Sequence, residues 1–134
     1  YEIVVSDWSS DVCSSDLIFV TPDADGPFTR GLPRVLRLPI AHAEGRYQAN
    51  SSTLGAVEGH HDVAFRYCDR DGNVTAEANP NGSLDGIAGI YGGPARNVLG
   101  LMPHPERSSE PLMGGTDGRA LFDAVVRSAA EARA

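Results

Sequence analysis

A chain of 134 residues and 14.2 kDa holds one domain with a real core, since chains of about this size bury roughly 70% of the surface they expose when unfolded. Hydrophobic residues at 41% and charged residues at 22% sit near globular averages, and no apolar run approaches the ~20 residues needed to cross a bilayer, so a wholly disordered chain and a membrane-spanning helix are both excluded. Eleven Arg, no Lys and 18 acidic residues leave a net charge of −7, and without clustered cations nucleic acid is not an expected partner.

Residues 1–17 differ from the rest: from Ser6 to Asp16, eight of eleven residues are Ser or Asp, and SSD occurs at Ser9–Asp11 and again at Ser14–Asp16. Such composition buries too little apolar surface to offset its ordering entropy, which suits a flexible acidic leader. The alternative, adopted as the expectation, is foreign coding sequence joined to a truncated reading frame. Residues 18–134 are then the C-terminal part of one domain.

Asp23–Pro33 reads as a Gly/Pro-rich connection, Val35–Ala41 as a buried strand and Thr53–Glu58 as a short helix. His60 and His61 fall in a solvated turn. VAFRYCD at Val63–Asp69, followed by Arg70, Asp71, Gly72 and Asn73 and then Val74 and Thr75, predicts a hairpin. NPNGS is turn material, with Asn79, Asn81 and Gly82 expected to close a tight turn. Ile87–Tyr91 and Asn97–Met102 predict two further strands. From Gly118 to Ala132 the apolar residues Leu121, Phe122, Val125, Val126, Ala129 and Ala130 trace one helical face, with Thr116 or Asp117 as N-cap. The pattern is that of an incomplete α/β sheet, expected to be mostly parallel and to lack part of its helical cover.

Cys13 and Cys68 form no CxxC and have no disulfide-framework or zinc spacing, which fits a reducing cytoplasm, and no metal site is expected. The chemistry concentrates in NVLGLMPHPERS, Asn97–Ser108. A hydrophobic strand runs into His104 between Pro103 and Pro105, with Glu106 two residues on. The prolines disfavour helix, and in an extended segment residues i and i+2 point to one side, so the Glu106 carboxylate can fix the imidazole tautomer. That is a base with its orienter, lacking a nucleophile. His42 and Glu44 in AHAEG repeat the HxE spacing, and both a functional contact and a structural loop stay open for them.

The strings LPIAHAEGRY, VAFRYCD, EANPNGSLDGIAGI, NVLGLMPHPER and GTDGRALF, in this order, resemble the C-terminal half of the glutaminase subunits of phosphoribosylformylglycinamidine synthases. These belong to the class I glutamine amidotransferase family. The resemblance implies a flavodoxin-like α/β fold, present here as an N-terminally truncated fragment, and a Cys, His, Glu triad in which His104 is the base and Glu106 its orienter. It places His42 and Glu44 near the glutamine pocket or an interface. The family's nucleophilic Cys lies in a Gly-rich elbow upstream of every matched string; Cys13, in VCSSD, lacks that context, and Cys68 lies inside a strand, where a small buried hydrophobe is the default. No nucleophile is therefore expected in this chain, and the chain alone is expected to be inactive. The resemblance further implies glutamine as substrate, a large synthetase subunit and a small bridging subunit as partners, and ATP and Mg in the synthetase and not in this chain. The rival readings are a noncatalytic partner domain of a synthetase and a hydrolase of related fold.

Overall fold

The computed structural model describes residues 2–3, 16–41 and 46–133. Its centre is a five-stranded sheet built from β2 (Asp16–Pro22), β3 (Leu36–Ile40), β5 (Val63–Cys68), β6 (Ile87–Gly92) and β7 (Val98–Leu101), in the order β3-β2-β5-β6-β7. A separate two-stranded ribbon pairs β1 (Glu2–Ile3) with β4 (Tyr47–Gln48). Two α-helices, α1 (Ser51–Gly59) and α2 (Asp117–Ala132), complete the frame.

Helix and sheet share a core, as an α/β chain requires, but every described strand pair is antiparallel. The parallel pairing expected from the sequence is not found within the described residues. Buried apolar strands read alike in either polarity, because what sets the direction is the path of the connections and not the side-chain pattern. The hairpin expected at residues 70–75 also does not form. Asp69 closes the turn itself, its Oδ1 accepting from the N–H groups of Asp71 and Asn73 at 2.9 Å each, and Val74 and Thr75 leave the sheet. The neighbours of β5 are instead β2 and β6, far away in sequence.

β2 is a strand that the sequence reading passed over, although Leu17, Ile18, Phe19 and Val20 form an apolar run. It begins at Asp16, two residues before the expected start of the domain, with Asp16 opposite Ile40 and Leu17 opposite Pro39.

Chain neighbours divide between two apolar clusters. Ala64 and Ala88 join Val20, Leu36, Leu38, Tyr67, Tyr91 and Leu121, whereas Val63 and Ile87 join Tyr47, Val57 and Ile90. The pairing of β5 with β6 is interrupted around Phe65, so the split does not follow simple alternation; α2 packs into the first cluster through Leu121 and α1 into the second through Val57. Asn50 caps α1, its Oδ1 accepting from Thr53 N–H at 2.8 Å.

The apolar face expected for α2 is split. Leu121 is buried and Val125 partly so, but Phe122 is 42% and Val126 67% exposed, and Ala124 takes the inward place. Three-to-four spacing from Gly118 selects Leu121, Ala124, Val125 and Ser128 for the core side, and Ser128 fixes that rotation by donating to the Pro27 carbonyl at 2.9 Å.

Candidate active site

β7 delivers the chain to the site. Met102 and Pro103 are buried, which ties the strand exit to the core, and His104 N–H then donates to the Pro39 carbonyl at 2.8 Å. Pro39 lies in β3, an edge strand of the sheet, and it bonds outward through its carbonyl, so its missing N–H costs nothing there. Beyond His104 the chain tightens into a 3-10 turn at Pro105–Ser108. This differs from the extended segment expected from two flanking prolines. Pro105 sits at the first position of the turn, where its fixed φ is already helical and its lacking N–H is no loss.

The turn still brings the expected pair together. His104 Nδ1 lies 2.8 Å from Glu106 Oε1. A carboxylate can only accept, so Nδ1–H donates, and in the neutral ring Nε2 is then the acceptor, the tautomer a general base requires. The pair is open to solvent, the His104 side chain 31% and the Glu106 side chain 56% exposed. Ser109 Oγ donates to the Glu106 carbonyl at 3.0 Å and so secures the far end of the turn.

Two contacts of α2 that sequence reasoning missed hold this turn. Asp117 Oδ2 accepts from Arg37 N–H at 2.8 Å, on the same outer edge of β3 that receives His104. The sequence offered Thr116 or Asp117 as N-cap. Thr116 occupies the cap position without a side-chain cap bond, and the Asp117 carboxylate is spent on β3. Gly118 lies against the Pro105 backbone so closely that a Cβ there would stand 2.6 Å from the Pro105 carbonyl carbon and 2.8 Å from its Cα, with the oxygen nearer still.

The other candidates separate from this pair. Cys68 is buried at 2% exposure in β5, and burial pushes its thiol up to about 11; a group held neutral and covered is a packing residue and not a thiolate nucleophile. Cys13, His42 and Glu44 lie outside the described residues. His60 ends α1 with its side chain 74% exposed, and His61 follows in the left-handed region at φ 56°, its carbonyl accepting from the Arg96 guanidinium. Both form the solvated turn expected of them. Among the described residues no three His, Cys, Asp or Glu side chains converge as a metal would need.

NPNGS is the tight turn the sequence suggests. Asn79 Nδ2 donates to the Ser83 carbonyl at 2.7 Å while its Oδ1 accepts from Ser83 N–H at 3.1 Å. Ser83, which the sequence reading did not single out, is the buried member: its hydroxyl donates to the Ile87 carbonyl at 2.6 Å and accepts from Tyr47 N–H at 3.0 Å.

An α/β domain in which His104, three residues past the end of β7, is paired with a Glu two residues on has the arrangement expected of a class I glutamine amidotransferase. The chain belongs to that class: residues 15–117 match the CobB/CobQ-like glutamine amidotransferase domain. Within it, the chain is similar to the phosphoribosylformylglycinamidine synthase subunit PurQ. It is 53% identical to that of Methanosarcina acetivorans over 104 residues, 76% of this chain and 44% of the relative. It is 56% identical to that of Chlorobium chlorochromatii over 94 residues, 70% of this chain and 40% of the relative. Among solved structures it resembles a chain from the structure of PurLQS from Thermotoga maritima, with a TM-score of 0.62 and 35% identity, covering 84% of this chain and 46% of that one. The chain thus spans less than half the length of the relatives it matches. Among the described residues no helix is long and apolar enough to cross a membrane.

Proposed function

We propose that this chain is the part of a glutaminase subunit that carries the catalytic His and Glu, and that the complete subunit supplies ammonia from glutamine to phosphoribosylformylglycinamidine synthase in de novo purine biosynthesis. The observation that carries the reading is the 2.8 Å contact of His104 Nδ1 with Glu106, set in a segment about half identical to PurQ subunits.

The nucleophile is assigned to a cysteine of the complete subunit outside this chain. His104 Nε2 takes the thiol proton as the sulfur attacks the side-chain amide carbon of glutamine. The C–N bond then breaks, the same proton goes to the departing nitrogen, and ammonia leaves behind a glutamyl thioester. Water adds to the thioester and gives its proton to His104. The C–S bond breaks, glutamate forms and the proton returns to the sulfur. Glu106 keeps Nδ1 protonated throughout and stabilises the imidazolium whenever Nε2 holds the proton. The ammonia passes to a large synthetase subunit, which binds ATP and Mg, with a small bridging subunit completing the complex in the cytoplasm. His42 and Glu44 are assigned to the glutamine pocket or to the interface with the synthetase.

The test is ammonia release from glutamine by the complete subunit assembled with its synthetase. His104→Ala should lower the rate about 10²-fold or more, the usual range for loss of a general base, with assembly intact. Wild-type ammonia release from the variant would overturn the reading.

A further inference from the structure

We propose that Gly118 and Asp117, in the first turn of α2, are positioning residues for the His104–Glu106 pair, a role that rests on the glutaminase reading above. The two catalytic side chains are held by little of their own packing, being 31% and 56% exposed. Their placement therefore depends on the backbone of the turn between them. That backbone is fixed from two sides. On one side His104 N–H donates to Pro39 in β3. On the other Gly118 presses on Pro105, the residue between His104 and Glu106, where a Cβ would fall 2.6 Å from the carbonyl carbon and 2.8 Å from Cα.

The obstructing atoms at Gly118 belong to the main chain, so no rotamer change can make room. Any side chain there must push the turn away from α2 or α2 away from the turn. Asp117 prevents the second escape by holding the helix start to Arg37 N–H at 2.8 Å. Arg37 and Pro39 are two apart on one strand, so the outer edge of β3 acts as a common ruler for α2 and for His104. A base whose orienter is displaced by even ~1 Å can lose about 10²-fold in rate, which makes this packing a kinetic matter and not only a structural one.

The complete subunit, assembled with its synthetase, provides the test. Gly118→Ala should lower kcat for glutamine by about 10-fold or more while KM for glutamine and synthesis from added ammonium stay within about twofold, because the turn moves and the rest of the domain does not. Asp117→Ala should do the same, and Asp117→Asn should restore most of kcat, since its amide oxygen still accepts from Arg37. Unchanged kcat in Gly118→Ala, or a parallel loss of ammonium-supported synthesis, would overturn the proposal. If Gly118→Ala fails to assemble, the Asp117 pair decides, and equal kcat in Asp117→Ala and Asp117→Asn overturns it. His104→Ala in the same assay separates the two levels: full activity there removes the glutaminase reading itself, whereas an inactive His104→Ala beside active Gly118→Ala and Asp117→Ala removes only the positioning role.

Discussion

Glu106 Oε1 and His104 Nδ1 stand 2.8 Å apart although Glu106 is more exposed than buried. The contact is thus made by geometry of the chain and not by confinement. An amide oxygen at the same place still accepts from Nδ1–H but carries no charge to balance the imidazolium. Glu106→Gln in the complete subunit should lower glutaminase kcat by about 10-fold, and Glu106→Ala, which also frees the ring to turn, by about 10² or more. Steady-state ammonia release checks the order; equal rates for the two variants would show that Glu106 does not orient the ring.

Ser83 joins the NPNGS turn to β4 and β6 through one hydroxyl. Ser83→Ala removes the partner of two main-chain groups at a buried position, and should destabilise the domain by roughly 2 kcal/mol. Asn79→Ala, at a part-buried position, should cost about 1 kcal/mol. Urea unfolding of both variants reads the difference, and a larger loss in Asn79→Ala would contradict the assignment of Ser83 as the anchor.

Burial raises the Cys68 thiol from its ordinary 9.0 to about 11 and the Tyr67 phenol from 10.0 to about 12, the latter opposed by a hydrogen bond with Asn81. Both groups hold their protons more tightly when folded than when unfolded. Their contribution to stability is therefore complete below pH 9 and is lost as the pH climbs through about 11 and about 12. Within that window each group should remove up to ~1.4 kcal/mol per pH unit. Unfolding free energies from pH 8 upward should fall in this way, and Cys68→Ala should flatten the first part of the decline. A stability that holds level through pH 11 would show that neither group is buried as described.

The strands at Leu36–Ile40, Val63–Cys68, Ile87–Gly92 and Val98–Leu101 and the helix from Asp117 were legible because each carries a local signal, apolar runs or three-to-four spacing, that survives any tertiary arrangement. The His104–Glu106 contact was legible from its two-residue spacing, although it is made across a 3-10 turn and not along the extended segment expected. What escaped depends on distant partners. The polarity of the sheet follows from connections, the lost hairpin from β2 and β6 outcompeting Val74 and Thr75 for the edges of β5, and the exposure of Phe122 and Val126 from the rotation that Ser128 and Gly118 impose on α2. The Gly118 signal lay in GTDGRALF, but a glycine inside a helix does not announce which backbone it must admit.

β7 pairs with β6 alone among the described residues and carries Val98 at 56% exposure. An uncovered apolar edge invites strand-to-strand association, and a lysine on it is a natural deterrent. Val98→Lys should reduce concentration-dependent association of this chain, measured by sedimentation, while shifting its unfolding free energy by no more than about 0.5 kcal/mol. Unchanged association would place the sticky surface elsewhere, with Leu112, at 97% exposure, the next to test.

The most direct measurement compares the two nitrogen sources in the assembled synthetase. With His104→Ala in the complete subunit, amidine synthesis from glutamine should fall about 10²-fold or more, while synthesis from ammonium salts stays within about twofold of wild type, because the base serves only the release of ammonia. Glutamine-dependent synthesis at the wild-type rate would contradict the account, and so would an equal loss from both nitrogen sources.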